Sequence, residues 1–319
     1  MNRNVAANPW LSVVIPSYCG EQWIDAALKS LVAQTESDFE VILVDGSPTS
    51  ATRDIAATYS DRLRLEIIER NDLTSWQTKT NFAVQNAQAS HVCWLGVDDL
   101  WLARRSAAVR GWIAAAPSAP LHLAPAAVIG KDGQKLGIWR CPLPSNRELS
   151  PQLVSRKLLM QNFVAAPAPV FRRDSWLAFG GLDESLWYTA DWDIWLKLAS
   201  LAPLYYHKDI TVGFRIHAGS LTMTGRYDPR VFAQQQQTVV ERHLATLGNG
   251  SRQLERAARA SIAVNTALAS ASAGDFRALL GAVFSVLKLG PAGICQYVYT
   301  SRIWERLAPR IRAKLTRAL

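Results

Sequence analysis

"LSVVIPSYCGEQWIDAALKSLVAQ", residues 11–34, changes its hydrophobic period halfway along. Leu11–Tyr18 is a β-branched, apolar run that stops at a proline and a turn, which reads as a strand covered on both faces. From Glu21 the apolar residues recur as Trp23/Ala27/Leu31 and Ile24/Leu28/Val32, the spacing of one helical face. A buried strand followed at once by an amphipathic helix is half of a crossover unit, and the fold depends on whether the unit repeats.

It does repeat. "FEVILVDGSPTS" (Phe39–Ser50) is a second strand that breaks at Asp45, Gly46 and Pro48, and a short helix through Arg53–Tyr59 follows. "LRLEIIE" is a third strand, Trp76–Ala89 a helix, His91–Gly96 a fourth strand and Trp101–Ala115 a helix. Four alternations in 115 residues predict a parallel sheet with flanking helices, an open α/β fold. No GxGxxG follows the first strand, so a dinucleotide fingerprint is absent.

After Pro117 the rhythm changes. "APAAVIGKDGQKLGIW" predicts a hairpin turning at Asp132-Gly133. A helix near Pro151–Gln161, a strand near Val170, a helix around Asp174–Phe179, a helix in "TADWDIWLKLAS" and late strands in "LYYHKDITVGFRIH" complete this part. Beyond about residue 226 the pattern is helical and Ala-rich. The expected division is a catalytic domain over 1–225, with its first side over 10–115 and its second over 116–225, and a helical extension over 226–319.

Composition limits the function classes. With 49% apolar and 19% charged residues the chain has ample core. The net charge of +9 is uneven, because Arg302–Arg317 holds six cations, among them Arg306, Arg310, Arg312 and Lys314, against Glu305 alone. Such a tail suits an anionic membrane surface at least as well as a nucleic acid, and the zinc-finger and RNA-binding-sheet signatures are missing. Cys19, Cys93, Cys141 and Cys295 form no CxxC pair, so buried free thiols in a reducing compartment are expected. "MNRNVAANPW" has no apolar signal core, which points away from secretion. "LLGAVFSVLKLGPAGICQYVYTSRIW" is interrupted by Lys288 and Gly290-Pro291, so two short helices are expected rather than a span. They either pack on the catalytic domain or lie in the plane of a membrane.

Three carboxylates end strands. Asp45 closes the second strand, and Asp98 and Asp99 close the fourth. In open α/β sheets ligands bind beyond the carboxyl ends of the strands. Adjacent carboxylates repel unless a cation or a proton offsets them, so the pair reads as a metal site, with a cap for the next helix as the other reading. "DGSP" around Asp45 is also ordinary turn chemistry. Asp191 and Asp193 open a helix and, two residues apart, do not share a face, so at most one points into a site. Trp176, Trp187, Trp192 and Trp195 crowd this region; most belong to the core, and one or two could stack on a sugar. His217 follows a strand without any zinc-type array. There is no GxSxG elbow and no Walker loop.

Five stretches in order, "VVIPSYCGEQWIDAALKSLVAQT", "FEVILVDGSPTSAT", "WLGVDDLW", "FGGLDESLWYTADWDIWLKLA" and "FRIHAGSLT", resemble the family 2 glycosyltransferases, inverting enzymes of the GT-A fold. The resemblance spans about residues 10–225, and the helical remainder looks like the extensions of bacterial members that build surface polysaccharides. It implies a nucleotide-sugar donor, Mg²⁺ or Mn²⁺, and a glycan or lipid-linked acceptor at the cytoplasmic face of the membrane. It implies Asp45 at the nucleotide base and Pro16 and Tyr18 beside the nucleotide. Asp98 becomes the metal ligand with Asp99 beside it, His217 a third metal contact, Asp191 the general base, and Trp187 and Trp192 acceptor-side aromatics. Gly96 stands where the family usually has Asp, Asn or Ser, Ala190 replaces an acidic residue, and Cys19 replaces Asn. Two other classes share parts of this pattern. A sugar nucleotidyltransferase would carry a Gly-rich, basic loop after the first strand, which "PSYCGEQW" lacks, and a non-catalytic sugar-binding or assembly protein would show departures such as Gly96 and Ala190.

Overall fold

The computed structural model describes residues 8–220, 228–247, 252–272 and 274–316. Strands β1 (Ser12–Ser17), β2 (Glu40–Asp45), β3 (Arg64–Glu69) and β4 (His91–Trp94) alternate with helices α1 (Ile24–Val32), α2 (Ala51–Ala57) and α3 (Trp76–Asn86). A two-residue strand, β5 (Leu100–Trp101), precedes α4 (Arg105–Ala115). Then come β6 (Leu121–Leu123), β7 (Ala126–Ile129), β8 (Lys135–Trp139), β9 (Glu148–Leu149) and α5 (Pro151–Met160). β10 (Val170–Arg172), α6 (Arg173–Ala178), α7 (Ala190–Leu201), β11 (Leu204–Tyr206) and β12 (Val212–Arg215) follow. The chain continues in α8 (Pro229–Thr246), α9 (Arg252–Ser272), α10 (Ala278–Leu287), α11 (Gly290–Ser301) and α12 (Ile303–Leu315).

The main sheet has the order β3-β2-β1-β4-β10-β6-β11-β9, and its first four strands are parallel. Strand side chains alternate between faces, and both faces are covered. Val13, Ile15, Val41 and Leu43 pack with Ile24, Leu28 and Leu31 of α1, whereas Val14, Ile42 and Val44 pack with Ala83 and Val84 of α3. This double burial is why β1 and β2 read as continuous apolar runs. Each such side chain contributes roughly 1.5–3 kcal/mol by leaving water. β3 lies at the edge, and its exposed Arg64, Glu66 and Glu69 differ from the buried runs in blunting that edge against further pairing.

The order 3-2-1-4 reverses at β1. Chain therefore leaves β1 and β4 on either side of a switch point, where an open sheet leaves a crevice. A second sheet, β5-β12-β7-β8, stands over it. β12 pairs antiparallel with β5, Val212 facing Trp101 and Gly213 facing Leu100. Continued by two residues, that register sets Arg215 beside Asp98 and brings His217 to the carboxylate pair.

Several expectations need correction. The helix expected from Trp101 begins at Arg105, and β5 occupies the interval, so neither Asp98 nor Asp99 caps it. Among the thiols, Cys93 and Cys141 are buried, but Cys19 and Cys295 are exposed, and all four are unpaired. The end of the "FRIHAGSLT" stretch, residues 221–222, lies outside the described residues. No single helix among the described residues is long and apolar enough to cross a membrane; α10 and α11 meet at 116° across the break at Lys288 and Leu289.

The terminal cations are not a free patch. Arg306 donates to Asn265 of α9, Arg312 donates to the Leu136 carbonyl of β8, and Arg302 lies 3.6 Å from Glu305. A Cβ at Gly137 would stand 2.7 Å from Pro309, so α12 lies directly on β8. Arg310 of the same helix reaches the crevice. Helix α12 is thus docked on the second sheet, while α10 keeps an exposed apolar face on which Leu280 is 73% exposed.

Candidate active site

The crevice at the switch point holds about 900 Å³, and Pro16, Tyr18, Asp98, Asp99, Asp191 and His217 all line it. With Trp187, which also lines it, seven of the nine site residues expected from the sequence share one cavity, although they come from four separate stretches of chain.

Asp98 and His217 face each other, Nε2 lying 2.9 Å from Oδ2. Trp23 of the β1–α1 turn packs against the imidazole at 4.7 Å and carries the Arg215 guanidinium on its ring at 4.9 Å. Arg215 is buried and fastens the region: Nε donates to the Asp98 carbonyl, and Nη1 donates to the carbonyls of Gly130 and Lys131. Its backbone N–H donates to Asp99 Oδ1 at 2.8 Å. Asp99 is thereby committed to β12, and burial together with the Asp98 charge pushes its carboxyl well above the usual range.

These contacts explain Gly96. A Cβ there would stand 2.6 Å from Asp99 Oδ2 and 2.8 Å from Asp98 Oδ1, so any side chain would have to displace both carboxylates. Expected metal ligands were Asp98, Asp99 and His217, but no cluster of three such donors forms among the described residues. One carboxylate and one imidazole remain. That pair fits a hard divalent ion completed by ligand phosphates and water, since such ions take one or two carboxylates and keep several waters.

Asp191 stands across the crevice at the start of α7. Its Oδ1 accepts the Trp192 N–H at 2.7 Å, and its Oδ2 accepts the Asn162 amide at 3.1 Å. Burial pushes its carboxyl up to about 6, against the pull of these two hydrogen bonds. Asp193 points the other way and is held by Lys197, Arg242 and His243. Although it too is buried, hydrogen bonds from His243 and Lys197 bring it down to about 2. One of the two aspartates faces the cavity and the other ties α7 to α8, in line with their spacing. Asn162→Leu removes the hydrogen bond that favours the Asp191 carboxylate. Any rate that needs this carboxylate ionised should then lose its acid limb at a higher pH, by about half to one unit in a kcat/KM profile.

Two expected positions lie elsewhere. Trp192 is 4% exposed, with its indole N–H on the Leu158 carbonyl, and it belongs to the core. A large aromatic at the third position of a helix whose first turn faces inward packs against α5 instead of the cavity. The aromatic wall consists of Trp187 with Trp76 and Trp94, which stack at 4.7 Å. Asp45 is fully buried behind the crevice. Ser47 donates to its Oδ1 at 2.6 Å and Arg53 to its Oδ2 at 2.7 Å, while Ser47 Oγ also accepts the Cys19 N–H. It fixes the turn after β1 from below.

Arg215, Asn162, Trp23 and Lys79 were not singled out in the sequence. A lone Arg inside the apolar strand "VGFR" was the one visible signal for Arg215. The partners of the other three are set by tertiary contacts.

An open sheet with a crevice at its switch point, a carboxylate pair after the fourth strand and a covering second sheet make up a GT-A fold. Residues 12–115, from β1 through α4, match the glycosyl transferase family 2 model. An uncharacterized glycosyltransferase of Rickettsia prowazekii is 26% identical over 230 residues, 70% of this chain and 69% of the relative. Staphylococcus aureus TarS 1–349 in complex with UDP-GlcNAc superposes with a TM-score of 0.59 at 16% identity, covering 93% of this chain and 91% of that one. The mannosyltransferase PcManGT from Pyrobaculum calidifontis, in complex with GDP-Man and Mn²⁺, gives 0.51 at 18% identity, covering 96% and 87%.

Proposed function

We propose that this protein moves a sugar from a nucleotide-sugar donor to a hydroxyl of a glycan or lipid-linked acceptor, with inversion at the anomeric carbon. The observation that carries this reading is the placing of the Asp98–His217 pair and of Asp191 on the lining of one cavity, each from a different element. The cavity lies near the top of the ~300–1,000 Å³ range of small-molecule sites.

Asp98 and His217 would hold Mg²⁺ or Mn²⁺, which when bound neutralises charge developing on the leaving diphosphate. Asp191 accepts the acceptor hydroxyl proton as that oxygen bonds to the anomeric carbon. The bond from that carbon to the phosphate oxygen breaks, and the nucleoside diphosphate departs with the electron pair. A base at about pKa 6 is ionised at neutral pH yet still takes a proton in the transition state. Trp76, Trp94 and Trp187 supply apolar faces for sugar rings. Thermal stabilisation by a panel of nucleotide-sugars, with and without Mn²⁺, tests the reading. Metal-dependent stabilisation by at least one donor supports it, and none by any donor refutes it.

The outer face of α10 suits an anionic membrane surface on the cytoplasmic side. Leu280, Val283, Phe284 and Leu287 share one exposed face, with exposed Arg277 and Lys288 at its two ends. This basis differs from the one the sequence offered, because Arg306, Arg310 and Arg312 of α12 are engaged within the protein. Leu280→Glu with Phe284→Glu should lower cosedimentation with phosphatidylserine vesicles at least about tenfold, since charge replaces two apolar side chains that would enter the lipid. Unchanged cosedimentation would remove α10 from membrane binding.

A further inference from the structure

Lys79 is only 2% exposed, yet it lines the crevice. It lies on α3, and a Cβ at Gly46 would sit 3.0 Å from its Nζ, which places the ammonium just past the end of β2. Its nearest aromatic is Tyr18, whose centroid is 5.4 Å from Nζ and whose ring is 64% exposed. Among the described residues Nζ has no hydrogen-bond or ion-pair partner. The nearest compensating charge is Asp45, and its two oxygens are already taken by Ser47 and Arg53. Burial holds the Lys79 ammonium below its usual pKa, with Asp45 acting against that shift. Nζ is not among the polar atoms sealed inside the protein, so it opens on the crevice, where a ligand can supply the acceptor that the protein does not.

The position decides which part of a ligand that is. Lys79 stands on the β2 side of β1, and the Asp98–His217 pair stands on the β4 side. Strands lie about 4.8 Å apart, so the two ends of the site are separated by about 10 Å. A nucleoside diphosphate with its phosphates at Asp98 and His217 reaches Lys79 with its base, and the open Tyr18 ring offers the stacking face. An ammonium only donates.

We propose that Lys79 selects the donor nucleotide, donating to the carbonyl oxygen at the 4-position of a pyrimidine or the 6-position of a purine. Uracil and guanine present that acceptor, and cytosine and adenine present an amine that Lys79 cannot pair with. The inference rests on the nucleotide-sugar reading above and deepens it.

Calorimetric titration of UDP, GDP, CDP and ADP into the full chain with Mn²⁺ tests it. The wild type should bind UDP or GDP at least about tenfold more tightly than CDP and ADP, as a charge-assisted hydrogen bond implies. Lys79→Met should bring UDP and GDP to the level of CDP and ADP and leave those two unchanged. Lys79→Gln, whose amide both donates and accepts, should narrow the preference while keeping the binding. Equal weakening of all four nucleotides in Lys79→Met would assign the ammonium to phosphate and overturn the proposal, as would an unchanged preference. Discrimination absent from a wild type that does bind nucleotides would overturn the base selection alone. Failure of the wild type to bind any nucleotide would overturn the donor reading as well.

Discussion

Asp191→Asn is expected to lower kcat about 10²–10⁴-fold, the range for loss of a positioned general base, while nucleotide binding stays within about twofold. The amide keeps the shape and still accepts the Trp192 N–H, but it cannot take a proton at neutral pH. On the proposed reading Asp191 serves the acceptor and the Asp98–His217 pair the donor, so the donor should bind as before. The wild-type kcat/KM should fall tenfold per pH unit below about 6, because burial places the carboxyl there and only its ionised form serves as a base. That acid limb should vanish from whatever activity Asp191→Asn retains. Normal turnover in the variant would take the base role away from Asp191.

The second large effect concerns Asp98 and separates it from its neighbour. Asp98→Ala should weaken Mn²⁺-dependent binding of a nucleoside diphosphate by more than the ~10–100-fold that loss of an outer-shell partner costs a metal site. Asp99→Asn should retain most of that binding, since an amide oxygen can still accept the Arg215 N–H. Calorimetry with and without Mn²⁺ reads both. The reverse order of effects would make Asp99 the ligand. An Asp98→Ala protein that binds as the wild type does would exclude the carboxylate from the metal altogether.

The parallel half of the fold was legible because β1 and β2 are buried on both faces, which leaves a run no exposed element would carry. β5 was not legible: two residues have no period, and their pairing is set by β12 more than a hundred residues later. Of the carboxylates at strand ends, Asp98 and Asp99 lie on the crevice lining and Asp45 lies buried behind it, and the partners of all three were not legible. Asp45 is paired with Arg53 of the next helix, Asp99 with the β12 backbone, and Trp192 with α5. In each case the residue type showed that a partner was needed and the tertiary fold chose which. The extension shows the same limit. Its basic composition suggested a surface patch, whereas Arg306 turns inward to α9 and Arg312 reaches a carbonyl of β8.

The central claim is a single displacement in which Asp191 deprotonates the acceptor while the donor phosphates sit at Asp98 and His217. NMR of the anomeric centre tests it most directly, with α-linked UDP- and GDP-sugars, Mn²⁺ and either an acceptor glycan or water. The account predicts that the wild type consumes a donor and that the first product formed is the β anomer, with neither seen in Asp191→Asn. A product that keeps the α configuration, or the same donor consumption in both proteins, would contradict it.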